Sequence, residues 1–62
     1  MSNIIIDEQK FLNAEEVANM LGVSVVTGYR IIKKLNEELK MQGYIVVAGK
    51  ISKRYFTEKV YI

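Results

Sequence analysis

Apolar residues along this 62-residue chain fall into two kinds of pattern. In the first, Val17, Ala18 and Leu21 recur at intervals of three and four, which gathers them on one face of a helix. Asn13 stands just before this stretch, and Glu16 follows three positions later. That is the spacing of a capping box, in which two side chains satisfy amide donors that the first turn leaves open. The pattern predicts a helix over Ala14–Leu21, closed by Gly22, which enters left-handed backbone without a β-carbon clash. Ser24 is then a second N-cap, and no proline interrupts the chain before Gly43. At about 100° per residue, Gly28, Ile31, Ile32, Leu35 and Leu39 form a stripe. Val26, Arg30, Lys33, Glu37 and Met41 lie opposite, with Tyr29 and Lys34 at the flanks. The second predicted helix is therefore Val25–Met41.

The second kind of pattern is contiguous. Tyr44, Ile45, Val46 and Val47 are aromatic and β-branched, which predicts a strand. Ala48, Gly49 and Lys50 then form a turn. Residues 52–60 admit two readings. Ile51, Lys53 and Tyr55 alternate as a returning strand would, whereas Ser52 can cap a short helix that groups Tyr55, Phe56, Lys59 and Val60. The i, i+4 spacing of Phe56 and Val60 favours the helix. Either Ile4, Ile5 and Ile6 or Phe11 and Leu12 can pair as an edge strand with residues 44–47.

Composition removes several kinds of chemistry. The chain has no Cys, His, Trp or Pro, so disulfides, zinc fingers and imidazole catalysis are out of reach. So short a chain also offers little depth for a closed catalytic pocket, and no enzyme activity, metal or other cofactor is expected. The opening residues lack the basic start and apolar stretch of a secretory leader, and no apolar run is long enough to span a bilayer. A cytoplasmic protein without a membrane partner is the expectation, and no small-molecule ligand is evident. Charge is unevenly spread within a net charge of +2. Residues 1–22 carry one base, Lys10, against Asp7, Glu8, Glu15 and Glu16. Residues 23–62 carry eight bases, Arg30, Lys33, Lys34, Lys40, Lys50, Lys53, Arg54 and Lys59, against Glu37, Glu38 and Glu58. Segregation of this kind suits one surface that meets a polyanion.

Two helices separated by Gly22 and Val23, the second capped by Ser24, match a helix-turn-helix. Val17, Leu21, Val23 and Ile31 are expected in the shared core, with Ala18 small where the helices cross. Gly28 costs about 1 kcal/mol in a helix interior relative to Ala, and close packing against Ala18 accounts for it. The expected fold class is mainly α within α+β: one domain over residues 1–62, a helix-turn-helix with a short β wing and a short C-terminal helix. The segments FLNAEEVANMLGVS, TGYRIIKKLNEELKMQGY and GKISKRYF resemble the small winged helix-turn-helix domains of the excisionase and MerR-type group, found in phages and mobile elements. The resemblance implies a recognition helix in the major groove and a following wing on the backbone or minor groove. Two departures stand out: Gly28 replaces a small or branched apolar residue, and the wing lacks the Trp-containing basic hairpin of many excisionases.

The expected partner is double-stranded DNA, bound as a small transcription regulator or an excisionase-type architectural factor. A major groove about 12 Å wide admits one helix, whose N-terminal residues reach base edges. Ser24, Val25, Val26, Thr27, Tyr29 and Arg30 are the candidates for base and groove contact. Arg30 can donate two hydrogen bonds to guanine, and Val26 can meet a thymine methyl. Lys33 and Lys34 are phosphate candidates, as are Lys50, Lys53 and Arg54 in the wing. Lys33 and Lys34 also stand four residues before Glu37 and Glu38, the spacing of surface ion pairs. A module of this size buries little interface, so a homodimer or cooperative binding at repeated half-sites is expected. Ile4, Ile5 and Ile6, with Val60, Tyr61 and Ile62, are candidate subunit contacts or closures of the monomer's own core. The competing reading is a protein-interaction module, an antirepressor or assembly adaptor. It would use Val25, Val26, Tyr29 and Met41 as its contact surface.

Overall fold

Asn13 belongs to two elements at once. It is the last residue of a strand, β1 (Phe11–Asn13), and the N-cap of the first helix, α1 (Ala14–Leu21). Its side-chain oxygen accepts the amide of Glu16 at 2.8 Å, and the Glu16 carboxylate accepts the amide of Asn13 at 2.9 Å. The capping box is thus complete, and strand passes into helix with no connecting residue. The computed structural model describes residues 10–60. Gly22 ends α1 at φ +70°, and the amide of Val23 donates to the carbonyl of Ala18. Ser24 then opens α2 (Val25–Met41), its hydroxyl oxygen accepting the amide of Thr27 at 3.2 Å.

The sheet has two antiparallel strands, β1 and β2 (Lys50–Ser52). Phe11 faces Ser52, Leu12 faces Ile51 and Asn13 faces Lys50. The central pair turns inward, and both Leu12 and Ile51 are buried. Ser52 closes β2 and caps α3 (Lys53–Lys59), accepting the amide of Tyr55 at 3.3 Å. The favoured helix is the reading realised: Lys53 and Tyr55, which the strand reading needed, lie in α3, and only Ile51 of that reading is in a strand. Phe56 is fully buried, as its place in that helix requires. The core joins Leu12, Ala14, Val17, Ile32, Leu35, Leu39, Ile51 and Phe56, with Leu21, Ile31, Val46, Tyr55 and Val60 packed around it.

Three expectations are corrected. Residues 44–47 form no strand; they run as irregular chain along α2, and Ile45 is 95% exposed. Their β-branched composition suits a sheet, but β propensity needs a partner. The partner, β1, is three residues long because Asn13 must start α1, and burial of Leu12 on Ile51 assigns it to residues 50–52. For the same reason Lys50 lies in β2, and the turn is confined to Ala48 and Gly49. Val23, expected in the core, is 38% exposed, because the turn after Gly22 directs it outward. Ile4, Ile5 and Ile6, together with Tyr61 and Ile62, lie outside the described residues. No helix of the described residues is long and apolar enough to cross a membrane.

The two helices of the corner meet at Gly28. A β-carbon built there would stand 2.6 Å from the carbonyl oxygen of Ala14 and 3.4 Å from the β-carbon of Ala18. The packing against Ala18 expected from the sequence is present, but the Ala14 backbone comes closer and is the stricter limit. Gly28→Ala should therefore lower the melting temperature by overpacking, a cost of about 1–3 kcal/mol, which outweighs the gain of about 1 kcal/mol in helix propensity. A thermal melt that rose would contradict this crossing. Asn13→Ala should cost about 1 kcal/mol by loss of the cap, read in the same melts.

Candidate nucleic-acid interface

The first two turns of α2 project from the corner as a free surface. Val25, Val26, Tyr29 and Arg30 are exposed, and Thr27 is half-buried. Ser24 and Thr27 form a closed pair. The Ser24 hydroxyl donates to the Thr27 hydroxyl oxygen at 3.1 Å while accepting the Thr27 amide. One hydroxyl hydrogen of the pair is used between the two oxygens, which leaves one for an outside acceptor. The pair as a whole can therefore donate once to a phosphate or base acceptor.

Lys33 and Lys34 follow on the exposed side of the same helix. Ion pairs with Glu37 and Glu38 are absent at these two lysines. The Glu38 carboxylate instead accepts the Tyr55 hydroxyl at 2.8 Å and lies 3.9 Å from Lys59 Nζ. Lys59 also stands over the Tyr55 ring, 5.4 Å from its centre. Glu38 is thus drawn toward α3, and among the described residues neither Arg30, Lys33 nor Lys34 has an ion-pair partner. Their charges remain available to an external anion.

The segment between α2 and β2, together with Lys50 at the start of β2, forms the wing. It lies against the helix flank, where Tyr29, Lys33, Lys40, Tyr44 and Gly49 border an open groove. Asn36 ties it down: its side-chain nitrogen donates to the carbonyls of Val47 at 3.2 Å and Lys50 at 2.8 Å. Gly49 adopts φ +79°, which favours glycine, and a β-carbon there would meet the Tyr29 ring at 3.8 Å. Tyr29 therefore packs against the wing while still presenting an exposed edge. Sequence reasoning missed Asn36. The available signal was a polar residue at the margin of the apolar stripe, four residues after Ile32 and seven after Tyr29.

The basic candidates of the wing divide into two groups. Lys50 follows the turn and stands opposite Asn13, at the end of the sheet that leads into α1. Lys53 and Arg54 lie beyond the other end of β2, in the first turn of α3, where the Lys53 amide donates to the carbonyl of Lys10. Arg54 is 3.7 Å from Glu58 in a solvent-exposed pair, of a kind that contributes little to stability. Lys50 is the basic residue of the wing proper; Lys53 and Arg54 make a separate cluster with Lys10. Among the described residues there is no group of three or more His, Cys, Asp or Glu suited to a metal ion.

Residues 2–50 match the model of the Mga helix-turn-helix domain family. The chain is also 41% identical over 49 residues to the ICEBs1 excisionase of Bacillus subtilis (strain 168), an alignment covering 79% of this chain and 77% of that protein. No solved structure matches. If the caps and crossing of the corner carry its stability, Lys33→Ala and Lys34→Ala should each change unfolding free energy by no more than about 0.5 kcal/mol, measured by chemical denaturation.

Proposed function

The chain belongs to the Mga helix-turn-helix domain family, and on that premise we propose that it binds double-stranded DNA in a sequence-specific manner, with α2 in the major groove. It serves as a small transcription regulator or an excisionase-type architectural factor of a phage or mobile element. Its mechanism is occupancy of a site, with no bond made or broken. The observation that carries this reading is the outer face of α2. Three cations, Arg30, Lys33 and Lys34, stand there without ion-pair partners among the described residues, on a helix whose N-terminal turns are exposed. Coulombic attraction to phosphates, with release of condensed counterions, gives such a face its affinity.

Each residue has a distinct role. Arg30 reads a guanine edge through two hydrogen bonds. Val26, 61% exposed, meets a thymine methyl, and Val25 and Tyr29 line the groove walls. Ser24 acts mainly as the cap, and the Ser24–Thr27 hydroxyl pair donates its remaining hydrogen to a phosphate or base acceptor. Lys33 and Lys34 contact phosphates, and Lys50 does so from the wing; these contacts set register without reading sequence. Lys53 and Arg54 contact backbone further along the duplex. Binding at repeated half-sites, as a dimer or cooperatively, compensates for the small interface of one module.

A protein-docking role draws support from Val26 and Met41, the latter 87% exposed. Salt titration separates the two readings, because phosphate contacts weaken steeply with salt and an apolar interface does not. Selection from random duplexes should return a defined motif together with the spacing of any repeat. Arg30→Ala should then cost about 1–3 kcal/mol on the selected site and relax discrimination at one base pair, whereas Lys34→Ala should weaken binding to all sequences and reduce the salt slope by about 1. Equal affinity for all duplexes, or binding indifferent to salt, would overturn the proposal.

A further inference from the structure

Asn36 is the one polar side chain that is buried among the described residues, at 8% exposed. Its neighbours along the stripe, Ile32 and Leu39, are apolar, and an apolar residue would satisfy packing at this position. An amide there is tolerated only if its hydrogen bonds are made, and both hydrogens of its nitrogen are used on the wing. The accepting carbonyls, of Val47 and Lys50, flank the turn, and the Lys50 amide closes it by donating to Val47 at 3.1 Å. Tyr29 lies seven residues earlier, two turns away on the same side of α2, and its ring lies beside Gly49. The helix that carries Arg30 thus holds the wing at two points. The sheet adds only the terminal pair of Lys50 with Asn13.

We infer that Asn36 is a positioning residue for DNA binding: its amide fixes the wing turn on α2 so that Lys50 meets a phosphate in register with the bases read by the first turns of that helix. This rests on the DNA-binding reading above. Asn36 acts through Lys50 and touches no DNA itself. Helix and wing consequently approach the duplex as one rigid unit, and the distance between base contacts and flanking phosphate contact is built into α2.

The test is a double-mutant cycle on the full chain, with affinity for the selected duplex measured against salt concentration. Asn36→Ala and Lys50→Ala should each lower the salt slope by about 1, the loss of one phosphate contact. The double variant should lower it no further, because both changes remove the same contact. A purely structural role for Asn36 would leave the slope of the folded fraction unchanged. Gly49→Ala approaches the turn from the loop side without opening the core, and it should show the same coupling to Lys50; it decides the matter if Asn36→Ala fails to fold. Losses that add in the double variant, or a full slope in Asn36→Ala, would overturn the inference. If Lys50→Ala keeps the full slope while Arg30→Ala still relaxes discrimination, the inference falls and the DNA-binding reading stands. If the chain shows no salt-dependent affinity for any duplex, that reading itself has failed.

Discussion

The structure depends on the close crossing of α1 and α2. With no side chain at Gly28, the carbonyl of Ala14 can approach to a distance at which a β-carbon would clash. Backbone brought against backbone sets the angle and depth of the corner more tightly than two interdigitating side chains, which can exchange rotamers. Val17, Ile32 and Leu35 then seal the interior beneath the crossing. Their burial is the main favourable term in so small a domain, where little surface is available to hide. The outward face of α2 inherits its direction from the same crossing, since the helix that buries Ile32 must present Arg30 and Lys33 to solvent.

Around this crossing the chain resolves its backbone polar groups with short local devices. Asn13 and Glu16 close the start of α1, Ser24 and Thr27 that of α2, and Ser52 that of α3. Each cap lies at a point where the chain changes direction, and at Asn13 and Ser52 one residue both satisfies an open amide and marks the end of a strand. Asn13 and Ser52 do this at the two ends of the sheet and shorten it to three residues per strand. A sheet this short cannot hold a wing by itself. The long-range hydrogen bonds from Asn36 supply what the ladder lacks, and they link the loop to α2.

Electrostatics follow from the packing. Glu38 turns to Tyr55 and Lys59 on α3, which leaves Lys34, one turn earlier, without an ion-pair partner among the described residues. Apart from Lys59, which is engaged by Glu38 and Tyr55, the basic residues lie in three places: along α2, at Lys50 beside the wing turn, and at the start of α3 near Lys10. The first two are joined through Tyr29 and Asn36, whereas the third lies across the sheet. A charge excess spread over forty residues of sequence is thus divided between α2 with the wing held against it and a separate cluster across the sheet.

The helices, their caps and the corner were readable in the sequence. The corner was legible from the small residues Ala18 and Gly28, whereas the helices and their caps are governed by contacts within about four residues, the reach of a helical hydrogen bond and of a capping side chain. Asn13 with Glu16, Gly22, Ser24, the stripe through Ile32 and Leu39, and the cap at Ser52 all belong to this class. Tertiary structure decided which segment pairs with β1, how exposed Val23 is, what Asn36 binds, and how Lys50 is parted from Lys53 and Arg54. Asn36 reaches carbonyls 11 and 14 residues away, and β1 meets a strand near the opposite end of the chain. Residue type and spacing carry no record of such meetings. They are settled only when the whole chain competes for one small interior.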